Sequence, residues 1–269
     1  MERAQFLLAT ASALAAAGFP ATGAAQLPSR PPIADYPLAI ADLVSANRIL
    51  AHENIVDGFG HVSVRDPRDP ANYLLARSMA PALVTADDIM TYDVATSTPV
   101  DPRGRASYAE RFIHGGIYRA RPDVKAVVHS HTPSVIPFGA VGTVPLRPIY
   151  HMGAFLSTGV PVFEIDDAGG TATDMLVETQ ALGDALARTL GSANVVLMRG
   201  HGMAVAGASI PEAVFRAYYT AQDAQLEAEA LRLGTPRFLG AQEAQHATQI
   251  QANLVPRTWD LWKRAISAP

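Results

Sequence analysis

Two histidines one residue apart, His129 and His131, close the apolar run Val127-Val128. If that run is a β-strand, residues two apart face the same way and both imidazoles project from one face. Neutral imidazole is the commonest metal ligand, so the pair is half of a metal site. A polar strand face gives the same spacing with no metal, and the pair alone does not separate the two readings. A third histidine, His201, stands between Gly200 and Gly202, just after the apolar run Val195-Val196-Leu197-Met198. That run reads as a buried strand. Flanking glycines permit tight backbone geometry and close approach, so His201 can complete a site begun on another strand. A turn carrying an incidental histidine is the competing reading.

Composition limits what else is available. The 269 residues hold no cysteine, so any metal rests on histidine and carboxylate, and neither a disulfide framework nor a thiol nucleophile exists. Hydrophobic residues make up 49% and charged ones 17%, as in an ordered globular protein with a large core. A net charge of −4 gives no footprint for nucleic acid. At the N-terminus, Arg3 precedes a small-apolar run from Phe6 to Ala17, broken by Gly18 and Pro20, with small residues up to Ala25. That is the layout of a signal peptide spanning 1–25, and it predicts export to the periplasm; the alternative is a cytoplasmic protein with an apolar N-terminal helix. The run is too short for a membrane span.

The elements that must position the histidines follow in chain order. Residues 26–37 are proline-rich and read as a linker. Leu43, Val44 and Leu50 give a helical stripe between Leu38 and Glu53. His61-Val62-Ser63-Val64-Arg65 alternates like a strand, and Tyr73-Leu74-Leu75-Ala76-Arg77 is another. Ser107 with Glu110 three residues on has the capping-box arrangement, predicting a helix from Ser107 in which Glu110 bonds back to the Ser107 amide. His114, one turn later, reads as a packed helix residue. The stop at Arg121-Pro122-Asp123 leads at once into the histidine strand. A long helix starts at Pro211-Glu212 and closes at Gly234, and Trp259 and Trp262 look like packing anchors on one or two further helices. Together these predict a single α/β domain over 38–269, a mixed sheet covered by helices, with a C-terminal helical extension.

In this order, Gly60-His61-Val62-Ser63-Val64-Arg65, Glu110-Arg111-Phe112-Ile113-His114, Val128-His129-Ser130-His131 and Arg199-Gly200-His201-Gly202 resemble the class II aldolase/adducin family over most of residues 38–233. The stretches Leu75-Ala76-Arg77-Ser78-Met79-Ala80-Pro81, Ala109-Glu110-Arg111-Phe112-Ile113-His114-Gly115 and His131-Thr132-Pro133-Ser134-Val135-Ile136-Pro137-Phe138 look most like its branch of decarboxylases for hydroxylated aromatic or ring-opened (hydroxymuconate-type) acids. The resemblance implies a three-layer α/β/α sandwich. It also implies a C4 homotetramer with sites at subunit boundaries, and a divalent metal on His129, His131 and His201. Glu110 matches the family's acidic residue, an acid/base and at times a metal neighbour, which displaces the capping role as its leading explanation. Zinc is the first choice of metal; manganese, cobalt and nickel fit the same ligands.

Where the family's sugar-phosphate aldolases carry an Asn in the first loop and a hydroxyl-Gly pair in the second, this chain has His61 and Arg77-Ser78-Met79. Without that glycine the second loop is ill-suited to wrap a phosphate, whereas Arg77 can hold a planar carboxylate through two parallel bonds. The expected function is therefore metal-dependent decarboxylation of a small carboxylic acid. Arg77 and Ser78 would orient the carboxylate, Glu110 would move the proton, and His61 and Ser63 would line the site, with His151 a more distant candidate. Tyr218 or Tyr219 on the long helix would reach a neighbouring subunit's site. The alternatives are aldol cleavage on the same metal and, in a different class, a non-catalytic adducin-like binding module.

Overall fold

Val62 and Val64 point to one side of a strand, His61, Ser63 and Arg65 to the other, and that alternation defines β1 (His61–Arg65). In the computed structural model, which describes residues 36–267, β1 is an interior strand of a seven-stranded sheet. The other strands are β2 (Asn72–Ala76), β3 (Ile89–Asp93), β4 (Ala126–Ser130), β5 (Val162–Phe163), β6 (Val195–Met198) and β7 (Gly202–Gly207). Their order is β3-β2-β1-β4-β7-β6-β5, with every pair antiparallel except β5 and β6. The sheet is mixed and the fold is α/β. The helices are α1 (Tyr36–His52), α2 (Arg111–Ala120), α3 (Ile136–Ala140), α4 (Asp166–Gly169), α5 (Gln180–Leu190), α6 (Ile210–Leu233) and α7 (Ala241–Ala265).

Period-two alternation splits the core into two layers. Val62, Val64, Ala126, Val128 and Val205 face a cluster that includes Leu43 and Leu50 of α1, Ala213 and Phe215 of α6, and Trp259 and Trp262 of α7. Tyr73, Leu75, Val127, Val196 and Ala204 face Ile113 and Ile117 of α2 and Leu186 and Leu190 of α5. Each fully buried aliphatic side chain contributes about 2 kcal/mol, so helices on both faces hold the strands in register. α6 is started by Ser209, whose hydroxyl accepts from the Glu212 amide, and it ends before Gly234.

Two expectations change. Tyr36 and Pro37 already belong to α1, so the linker does not extend to residue 37; its remainder and the signal-peptide segment lie outside the described residues. The helix expected from Ser107 begins at Arg111, and Glu110 is its N-cap residue with no side-chain cap bond. Ser107 Oγ instead accepts from the Tyr92 hydroxyl, so the capping box does not form. The polar side of β1 is covered as well: every residue of the strand is buried, because α2 lies across that face. No helix of the described residues is long and apolar enough to cross a membrane.

Candidate metal centre

Antiparallel pairing of β4 with β7 puts His129 opposite Ala204, and the tight turn between β6 and β7 carries His201 back to the same end of the sheet. Two glycines make the turn possible. Gly200 has φ +64°, a conformation that side chains with a Cβ rarely adopt. A Cβ on Gly202 would lie 2.0 Å from the Ser130 carbonyl oxygen. That close approach sets His201 beside His131.

The three rings converge on their Nε2 atoms. His131 Nε2 is 3.1 Å from His129 Nε2 and 3.0 Å from His201 Nε2. Glu110 enters from the N-terminus of α2, its Oε2 lying 3.3 Å from His129 Nε2, 3.5 Å from His201 Nε2 and 4.0 Å from His131 Nε2. One donor atom from each of the four residues falls within 4.8 Å of the others. Backbone bonds set the orientation. His129 Nδ1 donates to the Met203 carbonyl at 3.0 Å and His201 Nδ1 to the Met175 carbonyl at 2.8 Å. In a neutral ring this leaves the Nε2 lone pair facing inward. Glu110 Oε1 accepts from the Val177 amide at 3.0 Å, which leaves Oε2 for the cluster.

The donor set fits a divalent cation. Two Nε2 lone pairs and a carboxylate oxygen crowd one point, and acceptors do not bond one another. Zinc–nitrogen bonds of roughly 2.0–2.1 Å put tetrahedral ligand atoms about 3.3 Å apart, close to the separations seen. Electrostatics agree. Burial alone would raise the Glu110 carboxyl, but His129 and His201 override it and hold the group well below the ordinary carboxylate range. Burial, reinforced by the other two histidines, pushes His131 down to about 4, so its ring is neutral at pH 7. For His201 burial acts downward, yet the bond to Glu110 outweighs it and raises the ring. A proton there occupies the place of a cation.

Around this centre the expected substrate residues divide. His61 is buried opposite His129 in the β1–β4 register, its ring centroid 5.1 Å away. Ser63, expected to line the site, is fully buried and spends its hydroxyl on His114 and Tyr118; it is not available to a substrate. Arg77 is already engaged, with Nε bonded to Asp88 Oδ1 at 2.6 Å, which leaves its terminal nitrogens for a second carboxylate. Ser78 is exposed on the same loop. Tyr108 ties that loop to the centre: its hydroxyl donates to the Met79 carbonyl and its ring lies 4.5 Å from His61. Tyr218 packs between Tyr219 and Trp262 at 4.9 and 5.2 Å, and the described contacts do not bring it to the histidines of its own chain. His151 is exposed at the start of a 3-10 segment and is not among the residues that converge on the cluster.

Sequence reasoning missed Tyr108, Phe59 and the role of His114. Phe59 is 69% exposed and its ring stacks on His131 at 6.3 Å, but a turn residue between glycines carried no signal for this. His114 is packed, as expected, but it also bridges Ser63 and His61. The spacing of His114 and Tyr118, four apart and hence on one helix face, was the available sign.

A family model described as "Class II Aldolase and Adducin N-terminal domain" matches residues 41–228. The chain is 34% identical over 255 residues to "Decarboxylase tropJ" of Talaromyces stipitatus, covering 85% of this chain and 94% of that protein. It is 33% identical over 188 residues to "3,4-dihydroxyphthalate decarboxylase" of Arthrobacter keyseri, covering 64% and 70%. Among solved structures, the L-fuculose 1-phosphate aldolase from Glaciozyma antarctica PI12 superposes with a TM-score of 0.71 at 22% identity, over 86% of this chain and 89% of that one.

Proposed function

This chain belongs to the class II aldolase and adducin family and is a carboxy-lyase, and from that premise we propose that it decarboxylates a hydroxylated aromatic or ring-opened carboxylic acid with the help of a divalent metal. The observation that carries the reading is the convergence of three Nε2 atoms, two of them oriented by backbone carbonyls, with an ionised carboxylate. His129, His131 and His201 would hold the ion, with zinc the first choice for three imidazoles at this spacing. When bound, it supplies Lewis-acid stabilisation to the substrate oxygen onto which charge spreads as carbon dioxide leaves.

The chain's own groups do the rest. The free edge of Arg77 and the Ser78 hydroxyl hold the substrate carboxylate in plane. Glu110 is ionised and takes up the proton of the substrate hydroxyl. Glu110 returns the proton to the carbon that carries the carboxylate; the carbon–carboxylate bond then breaks with release of carbon dioxide, and its electron pair moves through the π system onto the substrate oxygen. Water restores the hydroxyl. Purified protein given hydroxylated phthalates should release one carbon dioxide per substrate consumed. Hydroxy-aldehydes cleaved to an aldehyde and a ketone, with no carbon dioxide from any acid, would sink the proposal.

Two further elements belong to the same reading. The layout of residues 1–25 supports export, and N-terminal sequencing of the mature protein tests it: a chain starting at Met1 refutes it. The family relation supports a homotetramer in which Tyr218 contributes to a neighbour's site, and light scattering at four times the mass of the mature chain is the expected result.

A further inference from the structure

A line of polar side chains crosses the apolar layer between the sheet and α2. Tyr118 Oη lies 2.8 Å from Ser63 Oγ, Ser63 Oγ 2.6 Å from His114 Nδ1, and His114 Nε2 2.6 Å from His61 Nδ1. All four residues are buried, with Ile113, Ile117 and Val127 in the same layer. Such a line adds little stability over apolar side chains of equal volume, and it becomes costly if any member loses its partner. Packing alone does not account for it.

An arrangement in which Ser63 accepts from both neighbours strands its own hydrogen, since His114 and Tyr118 are its side-chain partners among the described residues; otherwise the hydrogens run in one of two directions. In the first, Tyr118 donates to Ser63, Ser63 donates to His114 Nδ1, and His114 Nε2–H donates to His61 Nδ1. In the second, every donation is reversed, and the Tyr118 hydroxyl must find another acceptor. It has none but Ser63 among the described residues. The Arg65 guanidinium lies 4.8 Å from the ring centroid and favours a hydroxyl that donates away from it. Leaving that buried hydrogen unpaired would cost about 1–3 kcal/mol, so the first direction holds. His61 Nδ1 then accepts a hydrogen bond, which leaves the hydrogen of the neutral ring on Nε2.

His61 stands between the two halves of the site. On one side is His129, and on the other is Tyr108, bonded to the loop that carries Arg77 and Ser78. Its Nε2 makes no hydrogen bond among the described residues. We propose that Tyr118, Ser63 and His114 are positioning residues that fix His61 as the Nε2–H tautomer, a neutral hydrogen-bond donor to an oxygen of the acid substrate. This rests on the decarboxylase reading for its substrate, but not for its tautomer.

The test is a long-range proton–nitrogen correlation spectrum of zinc-loaded protein labelled with nitrogen-15 in histidine, assigned with a His61→Gln variant. The expected spectrum shows His61 with a hydrogen-bearing Nε2 and a bare, accepting Nδ1. In Ser63→Ala a second form with hydrogen on Nδ1 should appear, and kcat should fall about tenfold while zinc per chain stays at the wild-type level. A wild-type His61 carrying its hydrogen on Nδ1 overturns the proposal, and so does a Ser63→Ala protein with wild-type kcat. If Ser63→Ala does not fold, the wild-type spectrum decides alone. A spectrum as expected in a protein that releases no carbon dioxide overturns the decarboxylase reading and upholds the tautomer.

Discussion

Glu110 is 7% exposed among three histidines, while Asp223 and Glu227, one turn apart on α6, are fully buried beside the segment of Arg147 and Ile149. In all three, one carboxylate oxygen accepts a backbone N–H: from Val177, Ile149 and Arg147 respectively. The other oxygens part company. Glu110 Oε2 meets the imidazoles, whereas Asp223 Oδ2 and Glu227 Oε1 have no hydrogen-bond partner among the described residues. Burial pushes all three upward. At Glu110 the histidines reverse the effect; at Asp223 burial prevails and lifts the group to about 7, and Glu227 is raised as well. What separates a prepared anion from a neutral acid inside one fold is whether the second oxygen has a cationic or donor partner. The centre is built to hold positive charge, and the α6 stripe is not.

The strongest way to break that contrast is to remove a wall of the centre. His201→Ala deletes one of the three converging Nε2 atoms and a partner of Glu110. Turnover should drop to background, and elemental analysis should find well under one divalent ion per chain. Full metal content with undiminished turnover would mean that the cluster is ordinary buried polarity, no different from α6. Glu110→Gln is the next step down. It keeps the shape and an acceptor for the Val177 amide but removes the charge, so kcat should fall by about 10²- to 10⁴-fold while metal remains bound. Equal losses of kcat and of metal would recast Glu110 as a ligand above all.

Much of the centre was readable before the fold, because period-two geometry on a strand is local. His129 and His131 share a face whatever β4 pairs with, and glycines on both sides of His201 announce a tight turn. The same logic could not show what covers β1: the side carrying His61, Ser63 and Arg65 is buried by α2, about fifty residues further on. Tertiary packing also decided Arg77, whose Asp88 partner follows an intervening turn, and Glu110, whose capping role lost to the Val177 amide 67 residues away. Local patterns carried the ligands; the groups that orient them are long-range and left no periodicity to read.

On the α6 side the contrast sharpens with pH. Asp223 has a folded value of about 7 against 3.8 as a free side chain. Between those values the native state holds a proton that the unfolded state has lost, so stability falls as pH rises from about 4 to 7 and stays reduced above that. Asp223→Asn keeps an acceptor for the Ile149 amide and has no charge to bury. It should match wild type at pH 4 and exceed it at pH 8 by on the order of 3 kcal/mol, read as a Tm gap that opens with pH. A gap that stays constant across that range would show that Asp223 is ionised in the native protein.

The smallest effect discriminates most finely, because it compares two fully buried hydroxyls. Thr220 Oγ1 on α6 has no partner among the described residues, whereas Ser63 Oγ is held by His114 and Tyr118. Thr220→Val replaces a desolvated, unpaired hydroxyl with a methyl of the same shape, and should be neutral or stabilising by up to about 1 kcal/mol. Ser63→Ala strands two buried partners instead and should cost about 2 kcal/mol. Urea midpoints at unchanged m-value give both numbers. A loss at Thr220 as large as that at Ser63 would mean that the α6 stripe, too, is a satisfied network, and the distinction between the two regions would fall.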